Sequence, residues 1–88
     1  MPLFRLTESA MMAGMGDEMV LLDSLNGSYY SLDRIGRSML DLALAEEGRE
    51  NVIAVLESRF DAAPEQLDAD FSALMDSLVE AGLVEAAD

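Results

Sequence analysis

The pattern of apolar and polar positions changes character near residue 33. Before it, apolar residues come in short β-prone runs; after it, they recur at helical spacing, interrupted at Gly48 and Pro64. This predicts a small sheet followed by helices. Met19-Val20-Leu21-Leu22-Asp23 and Ser28-Tyr29-Tyr30-Ser31-Leu32 flank Asn26-Gly27, a residue pair suited to the positive φ angles of a tight hairpin turn. With a two-residue turn there, Leu21 and Asp23 share a face with Tyr30 and Leu32, and Val20 and Leu22 share the other with Ser31; a longer loop changes the pairing. An earlier strand is expected around Ser9 to Ala13, joined through Gly14-Met15-Gly16-Asp17, and residues 3–7 are a further strand or arm.

Asp33 is placed to cap a helix running to about Glu46, in which Ile35, Met39, Leu42 and Ala43 form one apolar stripe, and Gly48 ends it. A second helix over residues 50–60 puts Val52, Ile53, Leu56 and Phe60 on one side. The third begins at Pro64, a residue suited to the first helical position, and runs to Ala81, with Gly82 as cap and Leu83 folding back onto Leu78. Its core stripe is Leu67, Phe71, Leu74 and Leu78. One position on, Asp68, Ser72, Met75 and Val79 repeat the spacing and widen the apolar face. Met75 and Val79 therefore either complete the core or line a groove.

Composition narrows the function. At 88 residues, 51% of them hydrophobic, the chain supports one domain around a modest core. No apolar run approaches the roughly 20 residues that cross a bilayer, and Met1-Pro2-Leu3-Phe4-Arg5 lacks the apolar stretch of a secretory signal, so a soluble, cytoplasmic protein is expected. There is no Cys and no His, which removes thiol nucleophiles, disulfides, the usual general base and the commonest zinc ligand. A catalyst is not expected. The net charge of −13, with only 5 basic residues, repels a phosphate backbone and argues against nucleic acid, including for a winged-helix DNA-binding domain. Thioethers at Met11, Met12 and Met15 suit Cu(I), but no His or Cys supports a site, and the acidic residues lack the alternating spacing of a calcium loop. No metal or cofactor is expected.

The stretch Val20-Leu21-Leu22-Asp23, then Asn26-Gly27-Ser28-Tyr29-Tyr30-Ser31-Leu32-Asp33, then helices ending in Leu78-Val79-Glu80-Ala81-Gly82-Leu83-Val84, resembles the PqqD-like domains called RiPP recognition elements. The resemblance covers roughly residues 9–84 of a single domain and is closest to the stand-alone lasso-peptide B1 proteins. Two departures are Asp33, where the family often has Asn, and the Met-rich, Gly-containing first strand. The resemblance implies an α+β fold in which a three-stranded antiparallel sheet is followed by three helices, similar to a winged helix. It implies a non-catalytic protein that binds the leader segment of a ribosomally made precursor peptide. The leader would pair with the third strand and lie in a cleft between that strand and the third helix. A separate enzyme then acts on the precursor, which for the lasso type is a cysteine peptidase that removes the leader.

The residues agree with this mode. A strand over Ser28, Tyr29, Tyr30, Ser31 and Leu32 at the end of a meander is an edge whose free N–H and C=O groups template another strand. The tyrosines offer apolar area with a polar tip, although neighbours on a strand point to opposite faces and one of the two belongs to the core. Phe71, Leu74, Met75 and Leu78 are the expected opposite wall, and Asp68 the partner of a polar or basic leader group. Two other roles compete. One is a peptide chaperone of PqqD type serving another modifying enzyme, such as a radical enzyme. The other is an acyl carrier protein, since Asp-Ser-Leu occurs at residues 23–25 and 76–78. The first tripeptide runs into a turn and a strand, however, and the second lies inside a helix.

Overall fold

The computed structural model describes residues 2–46 and 48–87. Its elements run β1 (Phe4–Leu6), β2 (Ala10–Met15), β3 (Glu18–Asp23), β4 (Tyr29–Leu32), α1 (Arg34–Ala45), α2 (Arg49–Arg59), α3 (Pro64–Glu80) and β5 (Val84–Ala86). Strands β2, β3 and β4 form an antiparallel meander in that order, and β1 pairs antiparallel with β5 in a second sheet. The α+β class, the meander and the three helices match the sequence reading. The second sheet does not: the expected single sheet is joined by a two-stranded one. Its β1 falls within the strand or arm expected at residues 3–7, whereas β5 has no counterpart in the sequence reading.

The β3–β4 hairpin keeps the expected faces in a different register. Leu21 opposes Tyr30 and Met19 opposes Leu32, so residues 24–27 form a four-residue loop instead of a two-residue turn. Asp23 is the cause. Its carboxylate accepts the Leu25 N–H at 2.9 Å and the Asn26 side-chain amide at 2.9 Å, while its carbonyl accepts the Gly27 N–H at 2.8 Å. The loop thus closes on Asp23, and Gly27, with φ of 73°, supplies the left-handed step. The shift is two residues, an even number, so every side chain stays on its expected face.

Caps mark the start of α1 and the end of α3, whereas α1 closes at Glu46 and Gly48, expected to end it, precedes α2 as its N-cap residue. Asp33 accepts the Gly36 N–H at 2.8 Å and starts α1 immediately after β4. Gly82, at φ of 76°, ends α3, and the Leu83 N–H returns to the Leu78 carbonyl at 3.0 Å, burying Leu83 as expected. The stripes differ in detail. In α1, Leu40 is buried and Ile35 is exposed; in α3, Met75 is buried and Leu74 is only partly so. Each fully buried Leu contributes about 2 kcal/mol. The core joins Leu21 and Leu32 of the sheet to Leu40, Leu56, Leu67, Phe71 and Leu78 of the helices. Phe4 meets the Phe71 ring edge-on at 6.4 Å between centroids, and Arg5 pairs with Glu85 at 3.0 Å, which clasps the two-stranded sheet over the helices.

Candidate functional site

Strand β4 is an edge: β3 lies on one side and, among the described residues, no strand on the other. The Asp23 N–H donates to the Ser28 carbonyl at 2.8 Å, and this bond sets the parity of the ladder. Along an antiparallel pair the backbone groups turn alternately toward and away from the partner. Tyr30 and Leu32 therefore spend their N–H and C=O on β3, and Tyr29 and Ser31 direct theirs outward. Side chains alternate on the same rhythm. Leu32 is 4% exposed and Tyr30 is partly buried against the core, whereas Tyr29 is 70% exposed and Ser31 is exposed. Of the two tyrosines, Tyr30 is the core member. Ser28 lies in the loop that leads into the strand.

The edge is firmly mounted. Asp23, 3% exposed, is held below the usual carboxylate range, chiefly by the Leu25 N–H; burial opposes this, and the Asn26 N–H, Ser9 and the Asn26 side chain reinforce it. At its other end, Gly36 lets α1 start close against β4: a Cβ there would meet the Asp33 carboxylate at 3.3 Å and the Leu32 side chain at 3.5 Å. A pocket of about 270 Å³ opens at this end, lined by Met15, Met19, Val20, Ser31 and Leu32 and by the acidic Glu18 and Asp33.

The expected wall on α3 is largely inside the protein. Phe71 and Leu78 are fully buried and Met75 is 2% exposed, so these three side chains are core residues with almost no surface to offer. The reason is the shape of α3's neighbours. Arg49 of α2 stacks over the Phe71 ring at 5.1 Å, and Phe4 covers another edge of it. Asp68 is exposed but engaged, with Arg49 Nε at 2.7 Å; Arg49 also bonds the Asp68 carbonyl at 3.1 Å and the Ser72 hydroxyl. Asp68 and Ser72 thus belong to the α2 side of the helix, beside a groove of about 600 Å³ floored by Ile53, Ala54 and Pro64. The opposite flank of α3 carries Asp70, Leu74 and Ser77, four and three residues apart on one stripe. Leu74 and Ser77 are partly buried and Asp70 is exposed, bonded to Gln66 at 2.8 Å. Leu74 alone of the four expected apolar wall residues keeps accessible surface. Val79, 46% exposed, is a large α3 apolar residue left outside the core.

The structure adds an exposed apolar row to the expected residues. Met11 opposes Leu22 and Leu22 opposes Tyr29, so the three cross the outer face of the sheet in line, at 57%, 39% and 70% exposure. The alternation in Val20-Leu21-Leu22 held the signal for this face. Neither Asp-Ser-Leu tripeptide presents its serine at a helix start: the Ser24 hydroxyl donates to the Ser9 carbonyl at 3.0 Å in the hairpin loop, and Ser77 lies within α3. Among the described residues there is no cluster of His, Cys, Asp or Glu able to hold a metal, and no helix long and apolar enough to cross a membrane.

No curated protein matches the chain. Two solved structures do. One, described as a lasso peptide synthetase B1 complexed with the leader peptide, is 28% identical, with 93% of this chain and 96% of that chain covered at a TM-score of 0.85. The other, TbiB1 in complex with the TbiA(beta) leader peptide, shares the fold at 22% identity, with 96% and 99% coverage and a TM-score of 0.83. The pattern of the family described as Coenzyme PQQ synthesis protein D (PqqD) matches residues 18–84, from the start of β3 to the start of β5. The chain therefore belongs to the PqqD family, in a form similar to the lasso-peptide B1 proteins.

Proposed function

We propose that this chain is a non-catalytic, cytoplasmic, single-domain protein that binds the leader segment of a ribosomally made precursor peptide as a fourth strand on β4. It then delivers the precursor to a separate leader peptidase of a lasso-peptide pathway. The open β4 edge carries this reading: the outward backbone groups of Tyr29 and Ser31 are the hydrogen-bonding template that strand addition needs. The B1 synthetase that this chain is 28% identical to was solved with a leader peptide, which supports the same ligand class here. The likeness to a winged helix belongs to this reading, with the sheet set beside a three-helix body.

In this mechanism the backbone gives affinity and the side chains give selectivity. An added strand places alternate side chains beside Tyr30 and Leu32 on the inner face, and the rest beside Tyr29 and Ser31 on the outer face. The site residues are Ser28, Tyr29, Tyr30, Ser31 and Leu32, with Leu74 as the reachable part of the α3 wall. Phe71, Met75 and Leu78 support that wall from beneath, and Asp68 acts through its tie to Arg49. The pocket beside Ser31 and Leu32, lined also by Glu18 and Asp33, suits one leader side chain. Holding the precursor near the peptidase raises its effective concentration, which strengthens a weak second contact without new chemistry.

Titration calorimetry against leader peptides of precursors encoded beside the gene, with scrambled controls, tests the reading. Saturable binding that disappears on scrambling is expected. Folded protein that binds none of them contradicts it. Binding only to a leader whose precursor is modified by a radical enzyme would move the protein to the chaperone role instead.

A further inference from the structure

The pocket at the α1 end of β4 has walls of two kinds. Val20 opposes Ser31 and Met15 opposes Glu18, so these four side chains project from the outer face of the sheet, where β4 passes into α1. Val20 is partly buried and Met15 is 67% exposed, and they form the apolar side of the opening. Glu18 and Asp33, both exposed, form the acidic side. Ser31 keeps the pocket open from β4, being a small side chain on the edge that an added strand would follow. Neither acid is neutralised by its neighbours. Asp33 Oδ1 accepts the Gly36 N–H at 2.8 Å as the α1 cap. Arg37 braces the turn before β3 through backbone alone, donating to the carbonyls of Gly16 and Glu18 at 2.6 and 3.0 Å, and its nearest carboxylate is Asp41 at 3.8 Å. Arg34, next to Asp33 in the chain, lies over the Phe60 ring at 5.1 Å. Among the described residues no ion pair includes Glu18 or Asp33.

We infer that this pocket reads one lysine or arginine of the leader, the residue that comes opposite Ser31 when the leader adds to β4. The inference rests on the strand-addition reading above and names a side chain that the ligand must carry. Reach and charge together decide it. An added strand lies about 4.8 Å from β4 and about twice that from β3, so a side chain opposite Ser31 must cross the serine to touch Val20 and go further to meet a carboxylate. A short side chain ends over Ser31. A lysine or arginine lays its methylene stem along Val20 and Met15 and keeps its charged head in water beside Glu18 and Asp33. A long apolar side chain would cover the two carboxylates without pairing them, and an acidic one would be repelled. Backbone pairing by itself accepts many sequences and many registers. One charged anchor at the end of the edge fixes which leader residue faces Ser31, and with it the face of every other leader side chain.

The test is calorimetric titration of the full chain with the leader peptide of the precursor encoded beside the gene, and with copies of it in which each lysine or arginine in turn is replaced by glutamine. One replacement is expected to weaken binding to the unaltered chain by about fivefold, and to change binding to a Glu18→Gln, Asp33→Asn double variant by less than about 1.5-fold. The double variant is expected to bind the unaltered leader about fivefold more weakly than the unaltered chain does, by a margin that narrows as salt rises. Asn caps a helix as Asp does, so α1 is retained, and an unchanged unfolding midpoint checks this. Glu57→Gln removes a charge from α2, away from the sheet, and is expected to change leader affinity by less than about 1.5-fold, which separates the pocket from the net charge of −13. Ser31→Leu keeps the outward N–H but fills the opening, and is expected to erase the difference between the basic and glutamine leaders. Leader binding in which no lysine or arginine matters overturns the inference, as does one in which the critical residue matters equally in the double variant; both leave strand addition standing. A leader that does not bind at all sinks the strand-addition reading, and this inference with it.

Discussion

Phe71 and Tyr29 mark two halves of the molecule that are built to different ends. The Phe71 ring is fully buried between Phe4 and Arg49, in a half where α2, α3, β1 and β5 close on one another. Tyr29 is 70% exposed on a sheet that leaves both edges and one apolar face open. The closed half contributes most of the burial that offsets chain entropy. The open half is held by short-range devices instead: the Asp23 loop, the Asp33 cap and the Arg37 brace. Stability and recognition are thereby separated, and substitutions in one half should leave the property of the other nearly untouched.

The largest effect is expected at the centre of the closed half. Phe71→Ala should cost about 3–5 kcal/mol in urea unfolding, a larger loss than any change in the leader affinity of the fraction still folded. A small loss of stability with lost affinity would return Phe71 to the binding surface. Next comes the edge itself. Ser31→Pro removes an outward N–H and should weaken leader binding by about tenfold, or about 1.4 kcal/mol, with little change in the unfolding midpoint. Tyr30→Pro, whose N–H serves the ladder to β3, should instead destabilise the sheet, and equal behaviour of the two variants would break the assigned parity.

This division was only half legible in the sequence. Elements defined by local chemistry could be read from it: Asp33 as a cap, Pro64 and Gly82 at the two ends of α3, and the hairpin around Asn26 and Gly27. What depends on distant partners could not. The pairing of β1 with β5 joins residues about 80 positions apart, and its one trace is a central Arg5 facing a central Glu85 in two three-residue strands. The hairpin register escaped because Asn-Gly signals a short turn, and only the bonds to the Asp23 side chain reveal the longer loop. Which residues of the α3 face keep surface was not legible for a related reason. Helical periodicity gives the apolar face, but Arg49, an exposed-looking residue on another helix, decides which part of it is covered.

Two smaller effects are expected, one in each half. Gly82→Ala places a side chain at φ of 76° and should cost about 1 kcal/mol by thermal unfolding, with leader affinity unchanged. Asp23→Asn tests the open half's mounting through pH. The folded Asp23 pKa lies below its ordinary value, so its contribution is present above that ordinary value and is lost as pH falls through the folded one. The stability gap between Asp23→Asn and the unaltered chain should therefore be widest near neutral pH and close below about pH 4. A gap that does not change with pH would show that the Asp23 carboxylate does not hold the loop.

The most direct test of the central claim is residue-resolved amide exchange of the chain with and without saturating leader peptide. The Tyr30 and Leu32 amides are expected to be protected already in the free protein, whereas those of Tyr29 and Ser31 exchange freely and become protected when leader binds. Saturable leader binding that leaves the Tyr29 and Ser31 amides exchanging as before would contradict strand addition at β4.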